Sequence, residues 1–138
     1  MRQLDIYIDG AAKGNPGPAG IGVVILQDGR ALKNISRFIG NKTNNVAEYS
    51  ALIYALQEAL ILRVDKIRVW TDSELLSKQI KGEYRVKHEN LKPLFEQVKH
   101  LTGGFGSFEI HHISRERNCG ADKLANQAVK EAKIRRQA

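Results

Sequence analysis

Apolar and polar positions change their period along this chain, and the changes mark out its elements. From Leu4 to Asp9 the pattern alternates, Leu4, Ile6 and Ile8 against Asp5, Tyr7 and Asp9, which predicts a β-strand with one buried face. Gly10 to Pro18 carries three glycines and two prolines and reads as a loop. Ile21 to Leu26 is apolar and rich in β-branched residues, a second strand. The Asp28-Gly29 pair is a hairpin signal, after which Ala31 to Ile39 returns as a third strand. Thr43 or Asn44 caps a long helix running to about Leu62. Ile67 to Thr71 is a fourth strand, and Ser73 to Ile80 a short helix that stops near Gly82. Asn90 to Leu101 predicts another helix, with Pro93 in its first turn. Phe108 to Ile113 is a fifth strand. A last helix starts near Cys119 and places Leu124, Ala125, Ala128, Val129 and Ala132 on one stripe.

The order of these elements constrains the fold. Three consecutive strands can form an antiparallel meander. The fourth and fifth each follow helices, so right-handed crossovers bring them parallel to the first. The expectation is an α/β fold: a mixed five-stranded sheet flanked by helices, in which Trp70 belongs to the core. No repeat, linker or low-complexity stretch interrupts the chain, and residues 1–138 read as a single domain. The longest apolar-rich stretch, Ala51 to Leu62, is broken by Gln57 and Glu58, so no membrane partner is expected.

Composition adds a partner class. Hydrophobic residues at 42% suit a folded globule. Lys and Arg number 22 against 15 Asp and Glu, and the net charge of +7 favours a polyanion through counterion release. The single cysteine, Cys119, cannot form an internal disulfide, which fits a reducing, cytoplasmic setting. A monomer is expected.

Four acids stand where a simple fold would not need them. Asp9 and Asp72 end the first and fourth strands. If these are parallel neighbours, both carboxylates lie in the crevice beyond the strand ends where open α/β sheets bind ligands. Glu48 shares a helical face with Leu52, Ala55 and Ala59, and a buried carboxylate is costly unless paired or metal-bound. Asp122 opens the last helix. Each residue alone also has a structural reading: a turn for the aspartates, a favourable helix dipole for Glu48 and Asp122. Crowded together they would need cations. Oxygen donors without a convergent His or Cys cluster point to Mg²⁺ or Mn²⁺. Two such ions about 3.5–4 Å apart activate a water and stabilise the leaving oxygen of a phosphodiester.

Four motifs then carry a resemblance over nearly the whole chain. They are Asp9 to Gly20 (DGAAKGNPGPAG), Thr43 to Glu48 (TNNVAE), Thr71-Asp72-Ser73, and Arg115 to Asn126 (RERNCGADKLAN). Together the sequence resembles the ribonuclease H type 1 family, in its short branch. The resemblance implies a metal-dependent endonuclease that hydrolyses the RNA strand of RNA–DNA hybrids by a two-metal mechanism, leaving 5′-phosphate and 3′-hydroxyl ends. It implies metal-ligand roles for Asp9, Glu48, Asp72 and Asp122. Asn15, Asn44 and Asn45 resemble residues that contact the minor groove, where the 2′-OH distinguishes RNA. Thr43 resembles a contact to the DNA phosphate, and Asn44 keeps its reading as a helix cap. The basic handle of many members is replaced by a short connector, Lys81 to Asn90, so hybrid affinity is expected to be lower or shifted to other basic residues such as Lys13, Arg85 and Lys87. No histidine precedes Asp122 in its loop, and Arg115 or Glu116 is expected to assist there. Glu74 follows Asp72-Ser73 where many members have Gln, adding negative charge near the metals. The competing readings are a non-catalytic binder of hybrids or double-stranded RNA, and another nuclease of the same superfamily.

Overall fold

The computed structural model describes residues 3–137. Its strands are β1 (Gln3–Ala12), β2 (Gly17–Gln27), β3 (Arg30–Lys42), β4 (Lys66–Thr71) and β5 (Ser107–His112). Its helices are α1 (Asn44–Ile61), α2 (Glu74–Ile80), α3 (Lys92–Thr102) and α4 (Cys119–Gln137). The strands form one sheet in the order β3-β2-β1-β4-β5, with β1, β2 and β3 antiparallel and β1, β4 and β5 parallel. The mixed sheet expected from the element order is therefore present.

Alternation decides which side of the sheet each helix covers. Leu4, Ile6 and Ile8 share a face with Val23 and Ile25 of β2 and Ile67 and Val69 of β4, all essentially buried. They pack with Leu52, Ala55, Leu56 and Ala59 of α1 in the main core. Burying each large aliphatic side chain contributes about 1.5–3 kcal/mol, far more than local propensity, so α1 is held by its apolar face. The opposite face of β2 offers Gly20 and Gly22 to α4. A methyl group at Gly22 would lie 2.0 Å from the Ala121 carbonyl oxygen, and one at Gly20 2.5 Å from that of Ala125. The α4 backbone thus rests directly on the sheet.

Three expectations need correction. The segment from Gly10 to Pro18 is mostly strand: β1 runs on to Ala12, β2 begins at Gly17, and only residues 13–16 turn. The Lys13 N–H donates to the Pro18 carbonyl at 2.9 Å to close that turn. Gly10 marks a close approach of α1 rather than a bend, since a Cβ there would lie 2.3 Å from the Ala47 carbonyl carbon. Trp70 is half-buried rather than core. It stacks between Tyr7 and His111, at centroid distances of 6.1 and 4.7 Å, with Nε1 donating to Asp5 Oδ1. Arg115–Asn118 is a single 3₁₀ turn leading into α4 instead of an irregular loop. Among the described residues, no helix is long and apolar enough to cross a membrane.

Candidate active site

The parallel ladder of β1 and β4 ends at the pair Ile8 and Thr71. Beyond it β1 continues beside β2, whereas β4 turns into α2, whose cap is Ser73, accepting from the Leu76 N–H at 3.1 Å. The two chains diverge there, and Asp9 and Asp72 are the first residues past the fork. Asp9 sits inside β1 rather than at its end, because β2 still pairs with it. Glu48 reaches the same place from the second turn of α1. The missing side chain at Gly10 lets the helix approach, and the Gly10 N–H donates to Glu48 Oε1. Oxygen atoms of Asp9, Glu48 and Asp72 consequently lie within 4.8 Å of one another.

This convergence is electrostatically costly. Asp9 and Glu48 are each only 6% exposed. Burial, followed by the neighbouring Asp72 charge and a hydrogen bond with Asp122, pushes the Asp9 carboxyl up from 3.8 to about 7. Burial and then Asp9 hold Glu48 well above its usual 4.5, although the Gly10 N–H opposes the shift. A divalent cation among the three would relieve both effects. The donors are all hard oxygens, and among the described residues no histidine or cysteine lines the pocket, which suits Mg²⁺ or Mn²⁺ rather than Zn²⁺.

Asp122 enters from the first turn of α4. It lines the same pocket and comes within hydrogen-bonding reach of Asp9, yet lies outside the three-carboxylate set. Asn118 is a positioning residue that sequence reasoning missed. It is 1% exposed, and its Nδ2 donates to the Ile8 carbonyl at 2.8 Å and to Asp72 Oδ2 at 3.0 Å. Both partners are acceptors, so the amide cannot be reversed. Asn118 ties the end of the β1–β4 ladder to one oxygen of Asp72. A lone Asn in a charged stretch carries no periodic signal that could have revealed this.

Comparison with known proteins agrees with this geometry. The sequence matches, over residues 7–128, the family described as reverse transcriptase-like. A ribonuclease HI of Halobacterium salinarum is 40% identical over 131 residues, 94% of this chain and 66% of that protein. A bifunctional protein of Mycobacterium tuberculosis is 40% identical over 126 residues, 90% of this chain and 35% of that protein. The crystal structure of LC11-RNase H1 in complex with an RNA/DNA hybrid is similar with a TM-score of 0.89 and 44% identity, over 94% of this chain and 98% of that one. The chain belongs to the ribonuclease H type 1 family. It spans about two thirds of the halobacterial relative and about a third of the mycobacterial one.

Within this ribonuclease H fold the remaining candidates separate into two groups. Lys13, Asn44 and Arg115 line the carboxylate pocket. Thr43, Asn15 and Asn45 do not line it, but the first two build its lip. Thr43 is the N-cap of α1, accepting from the Val46 N–H at 3.3 Å. Asn15 Oδ1 accepts from the Asn44 N–H at 3.0 Å and so ties the β1–β2 turn to the helix start. Glu116 is not brought to the acids. Successive residues of a 3₁₀ turn point about 120° apart, so with Arg115 facing the pocket its neighbour is exposed to solvent. Glu74 is likewise turned outward and pairs with Lys78 at 2.9 Å.

Proposed function

We propose that this chain is a metal-dependent endonuclease that hydrolyses the RNA strand of RNA–DNA hybrids, leaving 5′-phosphate and 3′-hydroxyl ends. The observation that carries the reading is the meeting of Asp9, Glu48 and Asp72 from three separate elements within 4.8 Å. Asp122 completes the set, and two Mg²⁺ ions, with Mn²⁺ as a substitute, are the cations this donor set suits. When bound, such ions supply Lewis-acid activation of water and charge stabilisation at the phosphorus. The protein residues do the rest. The buried acids hold a rigid array of oxygens. Arg115, which lines the pocket, supplies positive charge towards the scissile phosphate. Asn15, Asn44 and Asn45, with the Thr43 hydroxyl, present hydrogen-bonding groups to sugar edges and to the DNA backbone beside the acids. The complex of LC11-RNase H1 with an RNA/DNA hybrid supports the choice of substrate.

The decisive experiment incubates a labelled RNA–DNA hybrid with the protein in Mg²⁺ or Mn²⁺, beside double-stranded RNA and DNA controls. Cleavage confined to the RNA strand of the hybrid, lost in Asp9→Asn, Glu48→Gln and Asp72→Asn, is the expected result. Binding of hybrid or double-stranded RNA without cleavage in either metal overturns the enzyme reading in favour of a binding protein.

A further inference from the structure

Asp122 is the one acid of the site that the sheet and α1 do not hold. Besides its hydrogen bond with Asp9, the contacts that fix it come from Asn126, one turn along α4. Asn126 Nδ2 donates to the Asp122 backbone oxygen at 2.9 Å and to its Oδ1 at 3.2 Å. On the other side, Asn126 Oδ1 accepts from Lys13 Nζ at 2.6 Å. A lysine ammonium only donates, and an ionised carboxylate only accepts. An asparagine amide satisfies both partners in one orientation and neither in the other. Lys13 therefore locks the amide with its NH₂ group towards Asp122. The lysine itself stands on a closed turn, tied to Pro18 through its own backbone and to α1 through Asn15.

We infer that Lys13 and Asn126 form a positioning relay that holds the Asp122 carboxylate turned towards Asp9, ready for a divalent cation. The inference rests on the proposed metal-dependent reading only for the role of Asp122. It reassigns Lys13, which sequence alone suggested as a substrate contact. It also makes a prediction opposite in sign to simple charge repulsion. An ammonium lining a cation site opposes the cation, so removing it should tighten binding. The relay requires that removing it weakens binding.

The test is isothermal titration of Mn²⁺ into the substrate-free protein, with thermal melts in EDTA as the folding control. Asn126→Ala should weaken Mn²⁺ binding about tenfold, the lower end for a group that orients a metal ligand. Lys13→Met should weaken it in the same direction, and Lys13→Met combined with Asn126→Ala should be no worse than Asn126→Ala alone, because the two act in series. Lys13→Glu presents an acceptor to Asn126, reverses the amide and should weaken binding at least as much, despite the added negative charge. Lys13→Arg, still donor-only, should bind as the wild type does. Should Asn126→Ala fail to fold, the exposed Lys13 series decides. Binding as tight as wild type, or tighter, in Lys13→Met and Lys13→Glu overturns the relay while leaving the metal site standing, provided Asp9→Asn abolishes binding. Equal Mn²⁺ binding by wild type and Asp9→Asn overturns the metal site and the relay together.

Discussion

Replacing Asp9 by Asn removes a buried, destabilised charge from the metal-free protein, and the consequence for stability runs against the usual effect of mutating a buried residue. The Asp9 carboxyl titrates near 7 in the folded chain against 3.8 for an unperturbed group, through burial first and the Asp72 charge second. The folded state therefore holds the extra proton between those two values. Stability falls as pH rises from 3.8 to about 7 and is level above, the reverse of a salt-bridged carboxylate. At about 1.4 kcal/mol per pH unit the ceiling is about 4 kcal/mol, and coupling to Glu48 reduces it to ~2 kcal/mol. For a chain of this length, that corresponds to a Tm about 8 °C higher for Asp9→Asn at pH 8 in EDTA. At pH 5 a little over a third of that fall has occurred, because the unfolded chain is already ionised, and the gap between the two proteins should shrink to about 3 °C. Saturating Mg²⁺ should invert the order at pH 8, since ligand at a hundred times Kd stabilises the wild type by about 2.7 kcal/mol. Circular-dichroism melts under these three conditions suffice. An Asp9→Asn protein no more stable than wild type at pH 8 in EDTA would refute the reasoning.

Asn118→Ala should lower stability by about 1–3 kcal/mol in urea titrations, through the lost bonds to Ile8 and Asp72, and should reduce hybrid cleavage about 10–100-fold. Glu74→Gln should change the cleavage rate by less than about twofold, because its exposed carboxylate is already paired with Lys78. Gly22→Ala should destabilise by about 3 kcal/mol or more, since the new methyl meets the Ala121 carbonyl oxygen at 2.0 Å. Gly29→Ala is the matched control. Nothing lies within 4 Å there, so only its positive φ is penalised, about 1 kcal/mol by denaturation.

Period and punctuation made the sheet legible. Alternation placed Leu4, Ile6 and Ile8 on one face, and the strand-helix order implied that β4 and β5 join β1 in parallel. What misled was glycine. In Gly10 to Pro18 the composition of a turn coincides with that of a strand whose glycines admit other backbones. Composition does not distinguish a glycine that bends the chain from one that lets a helix come close. The acids were legible because a carboxylate at a strand end or on an apolar helical stripe breaks a pattern. Asn118 and Asn126 break none, since an asparagine near a helix start is common, and their roles depend on what faces them across the fold. Trp70 shows the converse. Its apolar bulk suggested the core, but it lies half-buried, stacked between Tyr7 and His111.

The seating of α4 on Gly20 and Gly22 has a consequence for how the site tolerates change. Elsewhere, side chains set the spacing between layers, and any exchange of Leu for Val or Ile alters it slightly. Between β2 and α4 the spacer at these two points is main chain, which has the same dimensions whatever residues surround it. The depth at which Asp122 sits relative to Asp9 is thereby insulated from drift in the core beneath α1. Core substitutions beneath α1 can tune the stability of this fold without moving Asp122, whereas a single methyl group at Gly22 must shift a whole helix and the acid it carries.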